Sequence, residues 1–205
     1  MTLPPCYSWS PVGERLCIAY QAPQGRRLNV IGGFFSDGPE AGAFRYAIYA
    51  SLPKSRYKTQ HKSPEAVAQA AGFALAEVGS IHTERFLAFV WLLAGRPPVY
   101  ASDWKRSRPL WIVLDNYSVH TSASVKQEQV ALENANVHLF YLPSYSPELS
   151  AIEPIWQTLK HHEMQTRSYS DLATMKSAVE TALERKAQTL KSRNAETTNL
   201  LRKTA

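Results

Sequence analysis

Asp115 ends the apolar run LWIVL at residues 110–114, and Glu153 lies between Ile152 and Pro154 at the head of an amphipathic stretch that reaches Lys160. A carboxylate at the end of a buried strand is costly unless donors or a cation meet it. Either acid alone has a plain structural explanation. A strand-end Asp caps the next turn, and a Glu in the first turn of a helix is favoured by the helix dipole. Their connection suggests more. The chain runs from Asp115 through a helical pattern and a second apolar strand to LPSYSPELSAIE at residues 142–153, with prolines at 143 and 147 stiffening the turn. A strand–helix–strand crossover returns the chain beside the strand it left, so the two acids can meet across strand ends. Facing carboxylates repel unless a hard divalent cation lies between them, and Mg²⁺ and Mn²⁺ prefer such oxygen ligands. Carboxylate-held metal pairs serve in-line displacement at phosphorus.

The elements that must place these acids are legible from periodicity and punctuation. Residues 26–35 and 43–50 read as two strands of a hairpin around the turn SDGPEAG, where Asp37 is a turn residue. Residues 64–78 favour a helix despite Gly72, and residues 82–94 a second one, with Thr83 as cap and Phe86, Phe89, Val90 and Leu93 on one face. Residues 110–114 read as a fully buried strand, 122–135 as a helix through Val125, Gln129 and Leu132, and 137–142 as a strand. Helices follow over about 151–163 and 170–190. This order predicts an α/β domain with a mixed sheet, whose ligands gather at the carboxyl ends of the strands, where Asp115 lies.

The 205 residues suit one domain, and 44% hydrophobic content supplies a core. No apolar run reaches membrane-spanning length, the N-terminus has no signal-peptide pattern, and two cysteines, Cys6 and Cys17, exclude a disulfide scaffold. The expected compartment is cytoplasmic. A net charge of +6 and a pI near 9.3 favour a polyanionic partner. The cations cluster at Lys54–Lys62, at Lys105, Arg106 and Arg108, and in the last fifteen residues. Asp103, in a basic loop flanked by prolines, reads as a turn residue.

VLDNYSVH at residues 113–120, followed by LPSYSPELSAIEPIWQTLK at 142–160, resembles the second and third acidic motifs of DDE transposases, the DDE superfamily endonucleases, in the bacterial insertion-sequence branch of the mariner superfamily. The 37 residues between the acids are close to the branch's spacing, and the resemblance runs from residue 7 to about 163. It implies a ribonuclease H-like mixed sheet flanked by helices over 1–165, with 166–205 as a helical basic extension. It also implies Mg²⁺ or Mn²⁺ held by three acids, hydrolysis at transposon ends, and attack of the freed 3′-hydroxyl on target DNA. Asp115 matches the second acid and Glu153 the third, as catalytic residues and metal ligands. Asn116 and His120 match accompanying motif positions and, with Lys105, Arg106, Arg108 and Lys160, form the expected DNA-binding set. Lys160 follows Glu153 by seven residues, on roughly the same helical face. Ser150 stands where the family commonly has asparagine. The implied partners are transposon-end and target DNA and a second copy in an active homodimer, with a nucleoid-associated location and no membrane.

The family's first acid, usually within Asp-Glu, lies on a central strand before the segment matched by YSWSPVGERL. Here no acid precedes Glu14, which falls in a turn matching a non-catalytic part of the pattern. The expectation is therefore an N-terminally truncated catalytic domain, inactive as it stands. The alternative is a non-catalytic DNA-binding or interaction remnant, and a more distant one an unrelated metal-dependent phosphodiesterase using a spare acid.

Overall fold

A computed structural model of the chain describes residues 27–52, 63–144, 146–164 and 169–204, together with Val12. Cys6, Glu14, Cys17 and the basic run at 54–62 lie outside the described residues. Leu28–Phe34 (β1) and Phe44–Ala50 (β2) pair in one two-stranded sheet, and Leu110–Leu114 (β3) and Val137–Tyr141 (β4) in another. The helices are Pro64–Ala71 (α1), Thr83–Leu93 (α2), Ala123–Asn134 (α3), Glu153–Thr158 (α4) and Leu172–Thr204 (α5). This is a mixed α/β chain. Among the described residues no helix is long and apolar enough to cross a membrane.

The chain divides into two compact units. One comprises Met1–Asn29, Ile48–Ser80 and Ile155–Thr189. Its core gathers Ala50, Val67, Ala68, Ala71, Phe73 and Val78. Here α1 is shorter than the expected 64–78. Ser63 caps its start by accepting from the Ala66 N–H at 3.2 Å, and Gly72, at φ 62°, ends it. Glycine enters the left-handed region without the steric cost other residues meet, so it stops a helix that alanines would extend. A short 3₁₀ turn, Leu75–Glu77, follows.

The other unit comprises Val30–Ala47, Ile81–Pro154 and Leu190–Ala205. Its core is built on α2, whose Phe86, Val90 and Trp91 pack with Val125 and Leu132 of α3 and Val137 of β4. Val125 and Leu132 are seven residues apart, two helical turns, and are 1% and 0% exposed. Trp91 Nε1–H donates to Glu128 Oε1 at 3.0 Å, which satisfies the one polar atom of a buried indole. The start of α2 differs from the expected cap. His82 occupies the cap position without a side-chain bond, and the Thr83 hydroxyl donates instead to Ser122 Oγ at 3.1 Å. Gly33 of β1 leaves room for Leu93, whose methyls lie 2.8 Å from where a Cβ would stand.

The two strand pairs do not join into one mixed sheet among the described residues. The hairpin's antiparallel sense follows from Phe35 N–H donating to Ala43 at 2.9 Å while Ser51 N–H donates to Arg27 at 3.1 Å. β3 and β4 are parallel, in a register running from Leu110 opposite Val137 to Leu114 opposite Tyr141. Ile31 of β1 and Leu110 and Ile112 of β3 pack on one cluster of Phe35, Phe89 and Leu93, and among the described residues no backbone ladder joins β1 to β3.

β3 is not the fully buried strand its apolar run suggests. Leu110, Ile112 and Leu114 pack on the core, whereas Trp111 and Val113 face outward, 63% and 54% exposed. Alternate residues of a strand point to opposite faces, and among the described residues of this unit the core helices pack on the face of Leu110, Ile112 and Leu114. Trp111 stacks on His138 across the register at 4.5 Å.

The candidate active site

The carboxyl ends of β3 and β4 lie side by side. Leu142 N–H donates to Leu114 O, at the last residue of β3, at 2.8 Å and extends the ladder one step past the end of β4. Asp115 is the next residue on β3's side. Asn116 then turns back, its Nδ2 donating to Leu142 O at 2.7 Å. That bond ties the start of the Asp115 loop to the start of the segment that leads to Glu153.

The loop after Asp115 is closed by the carboxylate itself. Asp115 Oδ1 accepts from Tyr117 N–H at 3.1 Å and lies 2.8 Å from His120 Nδ1. Backbone bonds from His120 N–H and Thr121 N–H to Tyr117 O, at 2.8 and 3.3 Å, complete the turn that enters α3. The His120 ring sits 4.4 Å from Phe86, centroid to centroid, and its carbonyl accepts from Tyr141 Oη at 2.8 Å. Burial raises the Tyr141 pKa above its ordinary value, so its hydroxyl keeps the proton this bond needs. His120 is thus held from three sides, with its side chain 21% exposed beside an Asp115 carboxylate that is 68% exposed.

Ten residues, 143–152, join Leu142 to Glu153. They include the 3₁₀ turn Pro147–Leu149, and Glu153 begins α4 with its N–H donating to Ser150 O at 3.1 Å. Its side chain is exposed. Beyond Thr158 the helix widens into a π segment, Leu159–Glu163, closed by Met164 N–H to Leu159 O at 3.2 Å. The seven-residue spacing from Glu153 to Lys160 therefore crosses from α to π winding, and the face expected of a uniform α-helix does not carry over unchanged. Lys160 is exposed.

The three basic residues before β3 divide into two kinds. Lys105 and Arg108 are exposed. Arg106 is 19% exposed and turns inward. Its guanidinium donates to Ala94 O at the end of α2 and to Arg108 O at 3.4 Å, and pairs with Glu40 at 3.4 Å. Arg45 shares Glu40 and donates to Leu92 O at 3.0 Å, so two arginines serve the last carbonyls of α2. Lys54 and Arg56 lie outside the described residues.

The structure thus gathers Asp115, Asn116 and His120 at one strand end, and places Glu153 at the helix start reached from the neighbouring strand. Sequence reasoning missed the supporting groups: Phe86, the Tyr117 N–H, Tyr141 and the Leu142 carbonyl. The Tyr117 contact had a signal, since an Asp commonly accepts from the N–H two residues on. The others depend on tertiary approach. The donor chemistry fits a hard cation. Asp115 Oδ2 meets no protein donor among the described residues, and Glu153 offers a second exposed carboxylate. Among the described residues no group of three or more His, Cys, Asp or Glu converges as a complete ligand set.

A family profile described as DDE superfamily endonuclease matches residues 71–176, which is 106 of the 205 residues and includes both acids. The chain is also similar to the "Insertion element IS630 uncharacterized 39 kDa protein" of Shigella sonnei, 30% identical over 68 residues. That stretch is 33% of this chain and spans only 19% of the relative. With just over half of its length matched by one family, and that half containing the strand-end Asp115 and the helix-start Glu153, the chain belongs to the DDE superfamily endonucleases.

Proposed function

We propose that the chain acts in DNA transposition of the insertion-sequence kind, as a ribonuclease H-like catalytic domain whose Asp115 and Glu153 hold Mg²⁺ or Mn²⁺ for strand cleavage and strand transfer. The observation that carries this reading is the family match across both acids, joined to the Oδ2 of Asp115 at the carboxyl end of β3, an oxygen that meets no donor among the described residues. The fold reading draws support from the element order, a hairpin followed by two helices and then a parallel β–α–β unit.

In this reading Asp115 and Glu153 supply hard oxygen ligands and orient the scissile phosphate through what they bind. Asp115 and Glu153 would hold a divalent cation, which would supply stabilisation of charge on the attacking and leaving oxygens of the phosphodiester. Lys105, Arg108 and Lys160 attract the phosphate backbone without reading sequence. Arg106 keeps α2 and its loop in place. The partners are transposon-end and target DNA, with a homodimer as the active assembly.

The chain matches two of the family's three acids, so the 205 residues alone are expected to bind DNA and to show little or no cutting. Fusing an Asp-Glu-bearing strand ahead of Met1 should yield Mg²⁺- or Mn²⁺-dependent nicking of labelled insertion-sequence ends. Asp115→Ala and Glu153→Ala should each abolish it, and nicking that survives both substitutions would refute the site. The two acids that the 205 residues match, against three in the family's pattern, also favour a second reading, a relative that binds DNA without cutting it. That reading predicts salt-dependent binding and no nicking even after the acid is supplied.

A further inference from the structure

Among the described residues His120 Nδ1 faces two acceptors and no donor. It lies 2.8 Å from Asp115 Oδ1 and 3.3 Å from the Asp115 backbone oxygen. Neither oxygen has a proton to give when Asp115 is a carboxylate, so the proton of each contact belongs to Nδ1. The neutral ring is then the Nδ1–H tautomer. Asp115 Oδ1 receives this N–H together with that of Tyr117 at 3.1 Å. One oxygen is occupied by two protein donors, and the other, Oδ2, is met by none among the described residues.

We propose that His120 is a positioning residue which, with the Tyr117 N–H, pins Oδ1 and leaves Oδ2 as the single oxygen that Asp115 offers to a cation. The inference rests on the metal reading above and adds the denticity and rotamer of the ligand. Carboxylates bind such ions through one oxygen or both, and here the choice is made by the protein before the ion arrives. The apparatus that holds His120 supports this role. Phe86 limits the ring from one face at 4.4 Å, Tyr117 meets it edge-on at 5.9 Å, and Tyr141 Oη anchors its backbone carbonyl at 2.8 Å. An exposed carboxylate without the His120 partner would sample several rotamers, and a cation would have to select one at an entropic cost.

Two measurements on the 205-residue chain test this. The first is nitrogen-15 NMR of the six histidines, with His120 identified by its loss in His120→Asn. The expected result is an Nδ1–H tautomer at His120 that is lost in Asp115→Ala, and an Nε2–H tautomer in the wild-type chain would overturn the proposal. The second is Mn²⁺ titration followed by paramagnetic resonance. Replacing groups that orient metal ligands typically weakens binding about 10–100-fold, and His120→Ala should do so. His120→Asn, whose amide N–H can take the place of Nδ1–H, should recover most of that loss without the ring. Equal weakening by both variants would assign the effect to lost packing on Phe86 and overturn the proposal. Unchanged binding in His120→Ala, with loss in Asp115→Ala, would sink the positioning role and leave the metal reading standing. Binding indifferent to Asp115→Ala would sink the metal reading, and the proposal with it.

Discussion

The side-chain amide of Asn116 donates to the backbone carbonyl of Leu142 at 2.7 Å, joining residues 26 positions apart at the carboxyl ends of two parallel strands. Leu142 is 8% exposed, so water is poorly placed to replace the bond. Through it the loop carrying Asp115 and the segment leading to Glu153 are registered on each other. Asn116→Ala leaves a buried carbonyl without its donor, a loss of about 1–3 kcal/mol. Urea denaturation should show that drop, and Asn116→Asp should be worse, because it sets an acceptor against an acceptor. Unchanged midpoints in both variants would show that the bond does not hold the strand ends.

Three cations that the sequence presents as one basic patch should separate by experiment. Lys105→Ala and Arg108→Ala should weaken duplex DNA binding, each lowering the slope of log affinity against log salt by about 1, with thermal stability unchanged. Arg106→Ala should instead lower the melting temperature, because it strips the end of α2 of its Ala94 partner and leaves Glu40 with Arg45 alone. Arg106→Lys should not fully restore it, since an ammonium cannot reproduce the forked guanidinium geometry. A normal melting temperature for Arg106→Ala with a reduced salt slope would reverse this division.

Asp171 gives the fold an acid-sensitive joint. It caps α5, accepting from Thr174 N–H at 2.7 Å and from the Ser170 and Thr174 hydroxyls at 2.6 and 2.8 Å. These bonds, the Ser170 hydroxyl first, lower its pKa from 3.8 to about 2. A carboxyl whose folded pKa is depressed stabilises the fold above its unfolded pKa and loses that contribution as pH falls through the folded value. The contribution is therefore present above pH 4 and fades towards pH 2. Asp171→Asn should lower the melting temperature at pH 6 and differ less from wild type near pH 2, as followed by circular dichroism. A gap between the two that is constant with pH would contradict the cap's role.

Much of this was legible in the sequence because it rests on local rules. The apolar run at 110–114 and the Val125 and Leu132 spacing place β3 and α3 without tertiary information. Asp115 and Glu153 stood out because each interrupts such a pattern. The differences arise where distant parts of the chain decide. The run LWIVL cannot tell whether one or both strand faces are covered, and Trp111 and Val113 are open. Gly72 was outvoted by its alanine neighbours in a helix-propensity reading, although its left-handed backbone ends α1. The sequence suggested a helix ending near 190, whereas α5 runs to Thr204, its last turns made of residues with weak periodicity. Arg106 reads as one more surface cation until Ala94 and Glu40 are seen beside it. The Asn116–Leu142 bond joins a motif residue to a backbone atom, and a pattern of side chains holds no trace of that.

The central claim is that Asp115 and Glu153 hold one divalent cation together. Mn²⁺ titration of the wild-type chain, Asp115→Ala, Glu153→Ala and the double variant tests it most directly, because the four affinities form a cycle that isolates the coupling between the two side chains. If both carboxylates hold the same ion, each single substitution removes most of the binding and the double variant loses little more, so the two losses are far from additive. A Glu153→Ala chain that binds Mn²⁺ as the wild type does, or two losses that simply add, would show that the acids act apart and that the shared site is wrong.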